Sequence, residues 1–136
     1  MRPKVGVAVL VWRAGRVLLM RRQGSHGAGS WACPGGHLEY GEEPAACGAR
    51  ELLEETGMQA GGLRFRAITN DVFAEEEKHY ITIWFDTDDA TGEPFIASPR
   101  ECSELGWFAW DALPAPLFLP LENLRAGRGE GDKMTG

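Results

Sequence analysis

The segment Gly36-His-Leu-Glu-Tyr-Gly-Glu-Glu-Pro-Ala-Ala-Cys-Gly-Ala-Arg-Glu-Leu-Leu-Glu-Glu-Thr-Gly57 combines a loop with a short, carboxylate-rich helix. Pro44 suits the first turn of a helix, acidic residues before it complement the helix dipole, and Gly57 is a residue that commonly ends one. We therefore predict a helix over residues 44–56. Like charges three and four residues apart repel by roughly 0.2–0.5 kcal/mol per pair, so the carboxylates in this helix need an explanation.

Helical geometry groups three of these carboxylates on one side. At 100° per residue, Glu51, Glu54 and Glu55 fall within about 100° of the helix circumference, and an Ala/Leu stripe lies opposite. A solvated acidic face is one interpretation, and the spacing alone favours it. Clustered oxygen ligands for Mg²⁺ or Mn²⁺ are the other. Two neighbours shift the balance toward a metal: Arg50 lies beside the cluster, and the predicted turn Pro34-Gly35-Gly36 lets backbone groups approach an ion closely.

The rest of the chain alternates apolar runs with turns. We predict strands at residues 5–12 and 17–22 joined by a hairpin turn, and later strands at 63–69, 79–85 and 104–110. A short second helix, interrupted by prolines, is expected within residues 113–125. This order predicts an α/β (α+β) domain, a mixed sheet with helices packed on it, over residues 1–126. The Gly-rich, polar residues 127–136 predict a disordered tail.

Composition limits the partners of this domain. The 136 residues carry a net charge of −6, which argues against binding to a nucleic acid polymer or an anionic membrane. However, residues 1–38 contain Arg and Lys and no Asp or Glu, so a small anionic ligand remains compatible with the chain. No apolar run approaches the ~18 residues of a membrane span. Cys33, Cys47 and Cys102 show neither a disulfide framework nor a metal spacing, which favours a reducing cytoplasm.

Residues 36–58 resemble the Nudix box at every fixed position. The matching elements are Gly36, five residues, Glu42, seven residues, Arg50-Glu51-Leu52, one residue, Glu54-Glu55, one residue and Gly57-Met58. The flanks, Gly27-Ala-Gly-Ser-Trp31, Pro34-Gly-Gly-His-Leu-Glu39 and Trp107 before Asp111-Ala-Leu-Pro114, look like those of MutT-related nucleoside triphosphate diphosphatases. The resemblance covers roughly residues 3–125. It implies the Nudix fold, a curved mixed sheet sandwiched between helices.

The resemblance also implies a metal site and a reaction. Glu51, Glu54 and Glu55 would ligate Mg²⁺, with Mn²⁺ as a substitute, together with the main-chain carbonyl of Gly35. Arg50 would orient a box glutamate through an ion pair, and Glu42 would lie near the metal ligands. Family members hydrolyse a nucleoside diphosphate linked to another group by attack of water on phosphorus. As general base, Glu54 is the first candidate and Glu51 the second, while a glutamate outside the box remains an alternative, for which Glu75, Glu76 and Glu77 are the nearest.

Four further residues are candidates for substrate binding. Arg22 ends a strand before a Gly/Ser loop and could meet a phosphate, with a surface arginine as an equal alternative. Gly36 belongs to the predicted glycine turn, and His37 adjoins that turn and could hydrogen-bond the substrate. Phe118 lies where related diphosphatases contact the base, although a plain core position explains it equally well. His26 is expected to be exposed in its loop.

These observations favour Mg²⁺-dependent hydrolysis of a nucleoside triphosphate to a nucleoside monophosphate and pyrophosphate, with modified purine nucleotides among the expected substrates. Hydrolysis of nucleotide sugars or other nucleoside diphosphate derivatives is one alternative. A silent Nudix domain that only binds a nucleotide is another, against which the intact glutamate set speaks. The expected partner is thus a small nucleotide, and the apolar strands with exposed aromatic residues add a homodimer to the expectations.

Overall fold

The computed structural model describes residues 1–24 and 26–132. It contains seven strands and two α-helices within these ranges: β1 Lys4–Arg13, β2 Arg16–Arg22, β3 Trp31–Ala32, β4 Gly35–His37, α1 Pro44–Thr56, β5 Arg64–Phe73, β6 Lys78–Thr87, β7 Cys102–Ala109 and α2 Leu119–Arg125. The predicted helix 44–56 is confirmed, and Gly57 ends it in the left-handed conformation with φ of 76°. Neither described helix is long and apolar enough to cross a membrane.

The strands form one mixed sheet around β1. The order β3-β2-β1-β6-β5 is extended by β4, which pairs with β1, and by β7, which pairs with β2. The β1–β6 pair is parallel, from Lys4 opposite Tyr80 to Val11 opposite Thr87, and the other strand pairs are antiparallel. The predicted mixed α+β architecture is therefore confirmed.

Helices cover both faces of β1, which explains its unbroken apolar sequence. Val9 and Val11 pack on the α1 side with Leu52, whereas Leu10 packs on the α2 side with Leu121. This alternation follows from the two-residue period of a strand. The sheet is thus held between the two helices, as the resemblance implied.

The predicted tight turn at Pro34-Gly35-Gly36 is wrong in part, because Gly35–His37 forms strand β4. This strand pairs antiparallel with Gly6–Ala8 of β1. A Cβ atom on Gly35 would lie 2.2 Å from the carbonyl oxygen of Val7, so only glycine permits this approach of the two backbones. The pairing fixes the glycine segment against the central strand and beside α1.

Strand β5 continues beyond the predicted end at residue 69, through Asn70 and Asp71, which are residues depleted in strands. The Asp71 carboxylate is fully buried and accepts hydrogen bonds from the hydroxyls of Thr82 (2.5 Å) and Thr69 (3.2 Å) and from the Asn123 amide (2.9 Å). These three donors offset the cost of burying the carboxylate. They also connect α2 to the sheet.

Residues 127–132, which the sequence analysis assigned to a disordered tail, lie along β5. Glu130 and Ile68 exchange two backbone hydrogen bonds of 2.8 and 2.9 Å, and the Asp132 carboxylate accepts a hydrogen bond of 2.7 Å from the buried Arg66. Composition could not indicate these partners because they lie about sixty residues away in sequence. Residues 133–136 lie outside the described residues, and the domain boundary at 126 stays a prediction.

Candidate active site

A cleft of about 440 Å³ brings together side chains from distant parts of the chain. Glu51 and Glu55 reach it from α1, next to Gly35 and Gly36 of β4. The wall also includes Arg22, His26, His37, Tyr80, Glu101 and Phe118. The structure therefore brings a carboxylate region, the cations Arg22 and Lys78 and several aromatic rings together in a single concave site.

Glu55 is the most buried carboxylate of this group. Its Oε1 accepts a hydrogen bond of 2.8 Å from the Gly35 backbone N–H. The pKa of Glu55 is raised to about 8, mainly by burial and also by the nearby Glu51 and Glu101 carboxylates, while the Gly35 hydrogen bond and Arg22 act in the opposite direction. Burial likewise raises the pKa of Glu51, with Glu54 and Glu101 adding to the effect. This concentration of carboxylates creates a site that a cation would stabilise.

Arg50 lies beside the cleft and pairs with three box glutamates. Its guanidinium donates to Glu42 at 2.7 Å, to Glu51 at 3.0 Å and to Glu54 at 3.3 Å. The hydrogen bond from Arg50 holds the pKa of Glu42 at about 2. Arg50 thus fixes the orientation of Glu51 from outside the cleft.

Glu54 and Glu42 lie outside the set of residues that line the cleft. The Glu54 side chain is 57% exposed and is paired with Arg50. Within the described ranges, no three Asp, Glu, His or Cys side chains converge as a ready-made metal cluster. In this arrangement Arg50 engages Glu51 and Glu54, while Gly35 engages Glu55.

Glu101 is a cleft residue that the sequence reasoning missed. It lines the wall and is close enough to affect the pKa values of both Glu55 and Arg22. The Gln23 N–H donates to the Glu101 carbonyl at 2.9 Å, which brings the segment before β7 against the end of β2. Glu75, Glu76 and Glu77, the sequence-based candidates outside the box, lie in the β5–β6 turn and do not line this cleft. No local sequence signal distinguishes Glu101 from other acidic loop residues.

Arg22 lies between the carboxylates and the aromatic rings. Its guanidinium carbon is 4.0 Å from the centre of the Phe118 ring, and its Nε donates to the His26 carbonyl at 2.9 Å. Burial lowers the pKa of Arg22, while Glu55 and Glu101 oppose the shift.

His37, the next candidate, stacks on Tyr80 with 5.4 Å between the ring centroids. His26 was expected to be exposed, which is wrong, because only 14% of its side chain is accessible.

The residues present fit a divalent cation. Glu51 and Glu55 supply anionic oxygen atoms, the donors that Mg²⁺ and Mn²⁺ prefer. Gly36 leaves the space that the Glu51 carboxylate occupies, because a Cβ atom there would lie 2.4 Å from Glu51 Cδ. The absence of a side chain at this position therefore keeps an oxygen ligand in the cleft.

We expect Gly36→Ala to lower kcat/KM about a hundredfold, since the added methyl group displaces the movable end of Glu51. The melting temperature should change little. Gly35→Ala should instead unfold or strongly destabilise the chain, because its methyl group meets the Val7 backbone. Gly62→Ala, with open space around the added atom, is the matched control for rates and thermal unfolding. Normal activity of Gly36→Ala would contradict this role of Gly36.

Comparison with known proteins agrees with this geometry. The model of the NUDIX domain family matches residues 2–127. An oxidized purine nucleoside triphosphate hydrolase of Danio rerio is 35% identical over 114 residues, which are 82% of this chain and 69% of that protein. An RNA pyrophosphohydrolase of Yersinia enterocolitica is 41% identical over 70 residues, 52% of this chain but only 38% of that protein.

A solved structure gives the same result for the whole fold. The MutT NUDIX hydrolase from Burkholderia pseudomallei superposes with a TM-score of 0.88 at 29% identity and covers 93% of this chain and 98% of that chain. The family match, the shared fold and the glutamate-lined cleft confirm the resemblance stated for the box. The chain belongs to the Nudix family and is a MutT-related phosphoanhydride hydrolase.

Proposed function

We propose that this protein hydrolyses nucleoside triphosphates to nucleoside monophosphates and pyrophosphate with Mg²⁺. The observation that carries the proposal is the arrangement of Glu51, Glu55 and Glu101 in one cleft with Arg22 and aromatic rings. A nucleoside triphosphate has a polyanionic part and a flat apolar part, and the cleft offers a suitable environment for each. The Danio rerio relative, whose name specifies oxidized purine nucleoside triphosphates, supports the same substrate class.

Glu51, Glu55 and the Gly35 carbonyl would hold Mg²⁺ or Mn²⁺, with Glu54 as a further ligand once it leaves Arg50. Such an ion, when bound, neutralises phosphate charge and lowers the pKa of water. The side chain of Arg22 binds a phosphate oxygen, and His37 hydrogen-bonds the substrate. Phe118 contacts the base.

The bond changes follow from this placement. Water attacks a phosphorus atom, the phosphoanhydride P–O bond breaks, and pyrophosphate leaves. A carboxylate accepts the proton of the water. Of the carboxylates considered, Glu51 and Glu101 line the cleft and are better placed for this role than Glu54.

Product analysis over a substrate panel tests the proposal. With Mg²⁺, nucleoside triphosphates should yield monophosphate and pyrophosphate in equal amounts, without orthophosphate, and a metal chelator should abolish the reaction. The panel should contain the common ribo- and deoxynucleoside triphosphates, 8-oxo-dGTP, a nucleotide sugar and an RNA with a 5′-triphosphate. Orthophosphate as the product would contradict the proposed position of cleavage.

The other panel members separate the alternatives. Activity confined to the nucleotide sugar would establish a nucleoside diphosphate-sugar hydrolase, and activity confined to the RNA would place the chain with the RNA pyrophosphohydrolases. Binding without turnover by a folded, metal-loaded protein would indicate a silent domain. The same proposal includes the cellular location and the oligomeric state. We expect a cytoplasmic enzyme that acts on small nucleotides and forms a homodimer, and light scattering in solution tests the dimer. The three cysteines are free and buried, in keeping with a reducing setting.

A further inference from the structure

The imidazole ring of His26 has two buried nitrogen atoms, and neither has a role in the site described above. Neither Nδ1 nor Nε2 has a hydrogen-bond partner among residues 1–24 and 26–132. The Glu76 carboxylate is 3.9 Å from Nδ1, which is too far for a hydrogen bond. Because buried polar atoms in folded proteins are nearly always paired, this imidazole is suited to a partner that enters from outside.

The surroundings of His26 indicate what that partner is. His26, Phe73 and Phe118 form an aromatic cluster, with the imidazole 4.3 Å from the Phe73 ring and 5.4 Å from the Phe118 ring, centroid to centroid. All three line the cleft. Arg22 stacks on Phe118 and also interacts with Glu55 and Glu101. A triphosphate bound by Arg22 at the carboxylates would therefore leave its nucleobase at the aromatic cluster.

Two other polar side chains of the cleft wall, beside this cluster, are already engaged. The Thr82 hydroxyl donates to Asp71, and the Trp84 indole N–H donates to the Thr69 hydroxyl at 2.9 Å. Their hydrogen atoms are thus committed to the core behind the cleft. His26 provides two polar atoms that are free of such contacts.

We propose that His26 hydrogen-bonds the edge of the substrate nucleobase and thereby determines which bases are preferred. This inference rests on the proposed function, because it requires a nucleoside triphosphate in the cleft. Stacking on Phe73 and Phe118 accepts any base, whereas a hydrogen bond to a base edge discriminates between donor and acceptor patterns. The discrimination therefore comes from the imidazole.

The charge state of His26 is compatible with this role. Burial lowers its pKa, the cations Lys78 and Arg22 lower it further, and Glu76 opposes them. A neutral imidazole has one donor and one acceptor nitrogen, so it can pair with a base edge through either atom.

His26→Phe tests the proposal because it keeps an aromatic ring against Phe73 and Phe118 while it removes both nitrogens. We expect kcat/KM for the preferred nucleotide to fall about tenfold, mainly through KM, the size expected for one lost hydrogen bond. The differences in kcat/KM among the four bases should shrink to about twofold. His79→Phe is the matched control, since His79 contacts Asn70 and lies outside the cleft lining. Unchanged efficiency and base preference in His26→Phe would overturn the inference.

A binding experiment separates this inference from the proposed function. If the wild-type chain hydrolyses no nucleoside triphosphate, the proposed function fails, and ¹⁵N NMR of the His26 ring decides the inference. A shift of the ring nitrogens with at least one nucleoside monophosphate, but not with ribose 5-phosphate, would support base contact. No shift with any of the four monophosphates would overturn it. If His26→Phe does not fold, the same NMR titration of the wild-type protein tests whether His26 contacts the base.

Discussion

Glu51→Gln is expected to lower kcat/KM about a thousandfold, the loss typical of an essential acidic or metal-binding group. Glutamine keeps the volume of the side chain but removes the charge that faces the cleft and the partner of Arg50. The melting temperature should stay near that of the wild type. Initial rates across a Mg²⁺ titration, with thermal unfolding of the same samples, measure both quantities.

The matched control for this prediction is Glu43→Gln. Glu43 is exposed, precedes the same helix and makes no capping hydrogen bond through its side chain. It should retain normal rates. Glu55→Gln should lower kcat/KM by a similar factor to Glu51→Gln. Glu54→Gln tests the first candidate for the general base from the sequence, a carboxylate that lies outside the cleft in the structure. If Glu51→Gln and Glu55→Gln both keep more than about a tenth of the activity, the assigned carboxylates are wrong.

Arg50→Gln should lower kcat/KM about a hundredfold and lower the melting temperature in the presence of a chelator. The substitution removes the cation shared by Glu42, Glu51 and Glu54, so their mutual repulsion is no longer balanced. Added Mg²⁺ should narrow the difference in melting temperature between variant and wild type, because the ion supplies positive charge at the same glutamates.

Arg125→Gln provides the comparison for Arg50→Gln. Arg125 also pairs with a glutamate on its own helix, Glu122, but far from the box. Its replacement should alter neither rate nor Mg²⁺ response. An Arg50→Gln variant whose melting temperature differs from wild type by the same amount with and without Mg²⁺ would show that Arg50 stabilises the fold independently of the cation site.

Local signals account for the parts of the fold that the sequence predicted well. Pro44, the Ala/Leu stripe and Gly57 act within a few residues of one another, and helix 44–56 was predicted with its observed bounds. The apolar run of β1 was similarly informative because both faces of the strand are buried. In contrast, β4 was predicted as a turn because glycines are common in turns. Its pairing with β1 depends on a distant strand that the local sequence does not indicate.

Cleft residues that depend on long-range contacts escaped prediction. Glu101 lies fifty positions beyond Glu51 and reaches the cleft only because its segment pairs with the end of β2. His26 lies in a Gly/Ser loop that predicts exposure, yet Phe73 and Phe118 bury it from distant parts of the chain. The spacing of the box was enough to propose its glutamates as site residues. Only the structure shows that Glu51 and Glu55 line the cleft and that Glu54 lies outside it.

A crystal structure with Mg²⁺ and a non-hydrolysable nucleoside triphosphate analogue tests the central claim most directly. The account predicts an ion at about 2.1 Å from carboxylate oxygens of Glu51 and Glu55, in contact with phosphate oxygens of the analogue. Arg22 should contact a phosphate. Phosphates bound elsewhere on the protein, with these two carboxylates free of metal, would contradict the account.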